Sequence, residues 1–341
     1  MRAAVITKFG APDVLKILEW PVPIIGANDV LVRVHAIGLN FADVMARLGI
    51  YPSIPKPPFI PGIEFTGVVE KAGAEVTTLK PGDRVAGFSK QGAYAEYVSI
   101  SSHLAYRIPD TMSYKEAAAL TVTALTAYHA LVTLGHLQKG EKLLLHAAAG
   151  GVGTIALQIA QFLGAEIYAT AGSKEKLELA KSLGAHHLIN YREEDFEAWI
   201  RHHTGGYGID VVLDSIGGRT TRKGWNLIAP MGRYIIYGFA SVTGERTIRK
   251  LGAVIEFLSS PILFPPAMTS KNAGMFGFNL YFLSHKVDYL SRALKEILDW
   301  YSLGVIKPII GSTYRFEDIM HAQAALQARK TVGKVVVTFP S

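Results

Sequence analysis

An apolar run leading directly into a turn of small residues is the feature that most restricts how this chain can fold. Leu143, Leu144 and Leu145 precede the sequence His-Ala-Ala-Ala-Gly-Gly-Val-Gly at 146–153, and helical periodicity follows from residue 154. A strand, a glycine turn and a helix in that order form the phosphate-binding corner of dinucleotide folds. Small residues let a pyrophosphate approach the backbone and the positive end of the helix dipole. The predicted cofactor contacts of this turn are Ala149, Gly150, Gly151, Val152 and Gly153.

Strand and helix patterns continue to alternate after this turn. Strand-like runs at 166–171, 187–191, 209–214 and 233–238 are separated by helical patterns at 174–183, 193–203 and 218–227. Alternation of this kind indicates right-handed βαβ units and a doubly wound parallel sheet. The sequence therefore predicts an α/β fold for this half of the chain.

The first 110 residues have a different pattern. Short β-like runs at 30–36, 67–70 and 92–98 are separated by Gly/Pro turns, and a proline-rich loop occupies 51–62. Many short strands at this spacing predict a partly open β-barrel. Prolines exclude the loop from a helix or a central strand.

Composition excludes several classes of protein. The 341 residues suggest roughly two domains, and the absence of cysteine rules out disulfides, thiolate catalysis and cysteine-ligated zinc. The net charge is +7, but the basic residues are scattered and form no nucleic-acid motif. Neither a signal peptide nor a membrane-spanning helix is expected. We therefore expect a soluble, cytoplasmic protein that does not bind nucleic acid.

Three motifs in the first third carry a specific resemblance. They are Gly-Leu-Asn-Phe-Ala-Asp at 38–43, Pro-Gly-Ile-Glu-Phe-Thr-Gly-Val-Val at 61–69 and Pro-Gly-Asp-Arg-Val at 81–85. Together with the glycine turn they resemble the medium-chain dehydrogenase/reductase superfamily over nearly the whole chain. The resemblance implies a GroES-like domain at 1–124, completed by 306–341, and a Rossmann domain at 125–305.

The chain departs from the zinc enzymes of that superfamily at the metal ligands. Those enzymes have a cysteine where this chain has Asn40, and a histidine where it has Ile63. A catalytic zinc needs three converging protein ligands, and no histidine ladder with a nearby carboxylate occurs in the sequence. We therefore predict no metal. The departure resembles the zinc-free quinone oxidoreductase branch, which is zeta-crystallin-like and also carries the asparagine.

The end of the second predicted strand indicates which dinucleotide binds. NAD-specific folds place an acidic residue there for the ribose 2′-hydroxyl, whereas this chain reads Gly-Ser-Lys-Glu-Lys at 172–176. A hydroxyl and two ammonium groups suit a 2′-phosphate. In related NADPH-dependent reductases a serine, a lysine and a tyrosine bind that phosphate, which implies Ser173, Lys176 or Lys174, and Tyr191. NADPH is therefore the predicted cofactor, although Ser173 equally suits a helix cap.

The resemblance implies further site residues. The predicted helix at 116–131 crosses between the domains in relatives, with a threonine facing the nicotinamide; Thr126 matches it, or is a buried threonine bonded to its own helix. Gly238, Phe278 and Lys334 complete the implied cofactor contacts.

A segment longer than the fold requires occupies 243–274. Apolar residues at 248–258 fall on one helical face, after Arg246 and beside Arg249 and Lys250. This pattern predicts a helix over the cleft or sheet, or a basic amphipathic helix that contacts a membrane through 246–266. The segment resembles the vesicle amine transport (synaptic vesicle membrane protein) branch, whose relatives form a homodimer through a strand that corresponds to 275–282 here.

The resemblance implies transfer of a hydride from NADPH to a quinone or another α,β-unsaturated carbonyl. Asn40 could donate a hydrogen bond to the acceptor oxygen, and Tyr51 could donate or relay a proton. Asn40 equally suits a local role in its loop, and Tyr51 a role in lining the cleft. The alternatives are an enoyl-thioester reductase and a non-catalytic NADPH-binding protein associated with vesicles or lipid.

Overall fold

The computed structural model describes residues 1–52, 54–243, 258–261 and 264–340. Most of the predicted amphipathic segment, including Arg246, Arg249 and Lys250, lies outside these residues. The described strands are β1 Arg2–Ile6, β2 Leu15–Glu19, β3 Asp29–Leu39, β4 Glu64–Ala72, β5 Arg84–Phe88, β6 Tyr97–Ser101, β7 Ala105–Arg107, β8 Lys142–Leu145, β9 Glu166–Ala171, β10 His187–Asn190, β11 Ile209–Asp214, β12 Ile228–Ile236, β13 Gly274–Gly277, β14 Ile310–Arg315 and β15 Lys334–Thr338. The described α-helices are α1 Phe41–Arg47, α2 Tyr114–Tyr128, α3 Gly151–Phe162, α4 Lys174–Ser182, α5 Phe196–His203, α6 Arg219–Asn226, α7 Pro265–Lys271, α8 Val287–Ser302 and α9 Ile319–Gln327.

Contacts divide the chain into two units. Unit 1 comprises Met1–Val122, Leu283–Leu290 and Pro308–Ser341, and unit 2 comprises Thr123–Phe282 and Ser291–Lys307. The predicted domain boundaries at 124 and 306 stay a prediction.

Unit 2 contains a six-stranded sheet in the order β10-β9-β8-β11-β12-β13. Every neighbouring pair is parallel, and the first strand in sequence lies at the centre with the order reversing beside it. This is the Rossmann arrangement that the alternation predicts. The central strand β8 is continuously apolar because a parallel sheet covered on both faces buries every side chain, and Leu143, Leu144 and Leu145 are fully buried.

Unit 1 contains a seven-stranded sheet in the order β14-β15-β3-β4-β5-β7, with β6 also paired to β3. All its pairs are antiparallel except β14 with β15. Its core includes Ile37, Phe65, Val85 and Phe316. The GroES-like fold that the motifs predict is confirmed.

The prediction that a strand occupies 275–282 is wrong for the residues after Gly277. The strand β13 ends there, and a 3₁₀ turn, Leu280–Leu283, follows. Asn279 causes the change, because its side-chain oxygen accepts the backbone N–H of Tyr281 at 3.0 Å. Such an Asx turn competes with extension of the strand.

One helical stretch of the described residues, Tyr114–Leu134, is long and apolar enough to cross a bilayer, which the sequence analysis did not anticipate. It consists of α2 and a π-helical continuation, His129–Leu134. Since 78% of its most apolar window is buried inside the protein, it has the character of a core helix.

Candidate functional site

The glycine turn of unit 2 has the geometry of a phosphate-binding corner. Ala147 adopts a positive φ of 53°, and Gly150 immediately precedes α3 in an extended conformation. A Cβ on Gly153 would lie only 2.4 Å from the carbonyl oxygen of Ala147. Glycine at 153 therefore allows α3 to begin directly against the turn. Of the predicted contacts, Ala149 and Gly153 are buried, and residues 150–152 are partly exposed.

The start of α3 can bind an anion. The first N–H groups of an α-helix have no partner within the helix, and the helix dipole makes that end positive. Two of these N–H groups belong to Gly151 and Val152, and both residues are partly exposed. The turn therefore fits a pyrophosphate without any charged side chain.

The structure brings Ser173 and Tyr191 to the same end of the sheet. Ser173 precedes α4, and its hydroxyl oxygen accepts the backbone N–H of Lys176 at 3.4 Å. A Cβ on Gly172 would lie 2.6 Å from the phenolic oxygen of Tyr191, so the absent side chain at 172 makes room for this ring. Capping and phosphate binding are compatible, because a hydroxyl can accept and donate together. Lys174 is exposed and Lys176 is half-buried.

Arg192 is a further residue of this tip that the sequence analysis missed. Its Nε lies 3.1 Å from the position of a Cβ on Gly172, beside the ring of Tyr191. A guanidinium binds phosphate with a planar pair of donors. The sequence could have indicated Arg192 through its position just after β10, since ligands bind at the carboxyl ends of parallel strands.

The remaining predicted cofactor contacts of unit 2 lie around the end of β12. Gly238 follows this strand, and a Cβ on it would lie 3.0 Å from the carbonyl oxygen of Ser215. The ring of Phe278 packs edge-on against His129 at a centroid distance of 4.6 Å. Burial lowers the pKa of His129, so this ring is an uncharged packing partner at neutral pH. Thr126, on α2, is buried.

Unit 1 gathers three polar side chains at the end of β3. The register of β3 with β15 pairs Leu39 with Val335, and its register with β4 pairs Ile37 with Phe65. These registers bring Lys334 and Glu64 to the end of β3, where Asn40 follows. The Nζ of Lys334 lies 2.6 Å from the Oε2 of Glu64 and 2.6 Å from the Oδ1 of Asn40.

The three side chains form a closed hydrogen-bonded set, here called the polar triad (Asn40, Glu64 and Lys334). The amide nitrogen of Asn40 donates to the Oε2 of Glu64 at 3.1 Å and to the carbonyl oxygen of Gly38 at 3.0 Å. The other carboxylate oxygen of Glu64 accepts the backbone N–H of Val122 at 2.7 Å. Glu64 is fully buried and Lys334 is 3% exposed, so the ion pair is screened from solvent.

These contacts change the interpretation of two predicted residues. An amide has two hydrogens, and both hydrogens of Asn40 have partners within unit 1, so Asn40 must release one of them to donate to an acceptor. Among the described residues the ammonium of Lys334 contacts Asn40 and Glu64, and its contact with the cofactor stays a prediction. Tyr51, half-buried after α1, is not among the hydrogen-bond partners of Asn40.

Within the described residues, no group of three His, Asp or Glu side chains could hold a metal ion. The polar triad contains one carboxylate and a cation, and a lysine ammonium has no lone pair for a metal. The chemistry of these donors therefore does not suit zinc.

A Rossmann sheet with a tip suited to a 2′-phosphate, together with a GroES-like unit, defines a dehydrogenase type of dinucleotide-binding protein. A zinc-binding dehydrogenase model matches residues 151–289, and an alcohol dehydrogenase GroES-like domain model matches residues 26–110. The chain belongs to the medium-chain dehydrogenase/reductase superfamily.

Three individual similarities refine this assignment. The human synaptic vesicle membrane protein VAT-1 homolog is 37% identical over 342 residues, covering 99% of this chain and 86% of that protein. The crystal structure of Escherichia coli quinone oxidoreductase complexed with NADPH has a TM-score of 0.89 at 31% identity, covering 99% of this chain and 100% of that one. The crystal structure of CurK enoyl reductase has a TM-score of 0.85 at 31% identity, covering 99% of both chains.

Proposed function

We propose that the protein is a zinc-independent oxidoreductase that reduces quinones or other α,β-unsaturated carbonyl compounds with NADPH. The observation that carries the proposal is the match along 99% of the chain to a quinone oxidoreductase complexed with NADPH. The hydroxyl, phenol and basic groups around Gly172 support NADPH over NADH, because they suit the charge of a 2′-phosphate.

The residues of the chain bind and orient the reactants, and NADPH, when bound, supplies the hydride. The glycine turn holds the pyrophosphate on the start of α3. Reduction places negative charge on the acceptor oxygen, and a fixed positive group in a buried site stabilises that charge. Lys334, whose charge Glu64 balances, can still direct an N–H of its ammonium at this oxygen, since the ammonium has three hydrogens and two hydrogen-bond partners among the described residues. Asn40 orients it.

Steady-state oxidation of NADPH against quinones, enones and enoyl thioesters tests the reaction. We expect kcat/KM for the best quinone or enone to exceed that for enoyl thioesters by at least about tenfold, a difference typical of one missing specific interaction. Asn40→Ala should lower kcat, while the Kd of NADPH changes little. A highest kcat/KM for a thioester would contradict the proposed acceptor class.

Two other functions each have a supporting observation. The similarity to CurK enoyl reductase favours an enoyl-thioester reductase. The similarity to the VAT-1 homolog favours a non-catalytic NADPH-binding protein associated with vesicles or lipid; tight NADPH binding, binding to liposomes and no turnover in the panel would support it. Residues 246–266, predicted to contact a membrane, are largely outside the described residues.

The preference for NADPH makes a separate prediction. Arg192→Ala and Lys176→Ala should each weaken NADPH binding by about tenfold or more, because each removes a charge-assisted bond to the 2′-phosphate. Binding of NADH, measured by the same fluorescence titration, should stay unchanged. Lys174→Ala tests the other lysine, and Arg201→Ala, an exposed arginine of α5, is the matched control. Equal losses for both dinucleotides would contradict this assignment.

The homodimer also stays a prediction. In unit 2, β13 is an edge strand of the described sheet, and Phe276 on it is 40% exposed. An unpaired strand edge can pair with its copy across a two-fold axis. We propose this pairing for Gly274–Gly277 rather than for the whole predicted range 275–282.

A further inference from the structure

Asp43 is a buried carboxyl that lies directly against the polar triad. It belongs to the first turn of α1 and is 1% exposed. Its Oδ2 accepts the backbone N–H of Asn40 at 2.8 Å and the hydroxyl of Tyr94 at 3.0 Å. Its Oδ1 is buried and has no hydrogen-bond partner among the described residues. Asp43 therefore fixes the backbone of Asn40 through one oxygen, while the other is unsatisfied.

Among the residues that the structure describes, no cation forms an ion pair with this carboxyl. Lys334 of β15 forms its ion pair with Glu64 of β4. Arg47, at the end of α1, is fully buried, but it donates to Gln323, Gln327 and the carbonyl oxygen of Gly10. Ionisation of Asp43 would thus add a negative charge whose direct hydrogen-bond donors, within the described part of the chain, are the Tyr94 hydroxyl and the backbone N–H of Asn40.

Compared with a solvent-exposed aspartate, these surroundings favour the neutral form of the Asp43 carboxyl. Burial raises the pKa of Asp43 to about 7, although the N–H of Asn40, the Tyr94 hydroxyl and the Lys334 cation act in the opposite direction. The Glu64 carboxylate raises the pKa further. Both protonation states are therefore populated near neutral pH.

We propose that Asp43 is a positioning residue that sets the net charge beside Asn40. With a neutral Asp43 carboxyl, Glu64 and Lys334 balance each other; with an ionised one, the polar triad faces an additional buried negative charge. The effect on turnover rests on the proposed function, because reduction develops negative charge on the acceptor oxygen and a nearby anion opposes it. Turnover then falls as pH rises through the titration of Asp43.

The pH dependence of kcat, measured with saturating NADPH and the best acceptor between about pH 5.5 and 8.5, tests this role. In the wild type, kcat should fall by about three- to tenfold as pH rises through neutrality, the effect of one unit charge at several ångströms. This falling part of the pH profile is here called the limb. Asp43→Asn keeps a side-chain oxygen for Asn40 and Tyr94 but cannot ionise, so the limb should disappear. Tyr94→Phe removes a donor to the anion and should move the limb to higher pH. A limb that persists in Asp43→Asn, or is unmoved in Tyr94→Phe, overturns the proposal.

Unfolding tests the titration without an acceptor. The folded pKa of Asp43 lies above its unfolded value, so its contribution to stability is complete below about pH 4 and is lost as pH rises towards about 7. The free energy of unfolding of the wild type, minus that of Asp43→Asn, should therefore fall across this window. The half-buried His35 and the buried His129 and His146, whose pKa values are lowered, are present in both proteins, so their contributions cancel.

The two experiments separate the proposals. If no acceptor is reduced but the stability difference falls with pH, the proposed function fails and the titration of Asp43 stands. If the enzyme is active and the stability difference is flat, the proposed function stands and the role of Asp43 is overturned.

Discussion

Lys334→Met is expected to lower the free energy of unfolding by about 3–5 kcal/mol, the usual cost of removing one partner of a buried ion pair. The substitution leaves the fully buried carboxylate of Glu64 with the N–H of Val122 and the amide of Asn40 as its remaining donors among the described residues. Methionine has a similar length and flexibility, so lost packing contributes little. Urea denaturation at neutral pH measures the change.

Two further variants make this experiment specific. Lys330→Met alters an exposed lysine near the start of β15 and should change the free energy of unfolding by less than about 0.5 kcal/mol. Glu64→Gln combined with Lys334→Met removes both charges and should recover most of the loss, since a neutral buried pair carries no uncompensated charge. If Lys334→Met unfolds like the Lys330→Met control, the ion pair does not stabilise unit 1 as described.

Gly153→Ala is expected to weaken NADPH binding by about two orders of magnitude, equivalent to about 3 kcal/mol. The new Cβ would lie 2.4 Å from the carbonyl oxygen of Ala147 and 2.5 Å from that of Ala148. Both contacts are with backbone, so the turn itself must shift and the start of α3 must move away from the pyrophosphate. Fluorescence titration of NADPH gives the Kd.

The matched control for this variant is Gly274→Ala in β13. Of the described residues, its Cβ would meet the ring of Phe276 alone, at an ordinary contact distance of 3.6 Å. We expect its Kd for NADPH to remain within about threefold of the wild type, because no backbone contact is disturbed. An unchanged Kd in Gly153→Ala would show that the close approach at the turn is not needed for binding.

Local patterns made the fold of both units predictable. The strands of unit 2 are buried on both faces and are therefore continuously apolar, as at Leu143, Leu144 and Leu145. The turn at 172–176 was also recognisable from a local pattern, since its hydroxyl and basic groups are adjacent in sequence. Where one side chain redirected the backbone, as Asn279 does after β13, the apolar run alone predicted too long a strand.

The hydrogen bonds of the polar triad could not be predicted in this way. Asn40 and Lys334 are 294 positions apart, and Glu64 lies 24 positions after Asn40. Only the strand registers bring them together, and a register depends on pairing across the whole sheet. Sequence alone therefore identified Asn40 as a hydrogen-bond donor without showing that its amide hydrogens are already engaged.

The position of β15 in the sheet has a consequence for the synthesis of the protein. The ribosome makes Asn40 and Glu64 early, then the long continuous part of unit 2, Thr123–Phe282, and only afterwards Lys334. Since domains fold as their residues emerge, the nascent chain can form most of the Rossmann sheet while Glu64 still lacks its cation. Unit 1 is thus completed last, and an incomplete chain can contain most of the dinucleotide-type sheet while its polar triad is not yet assembled.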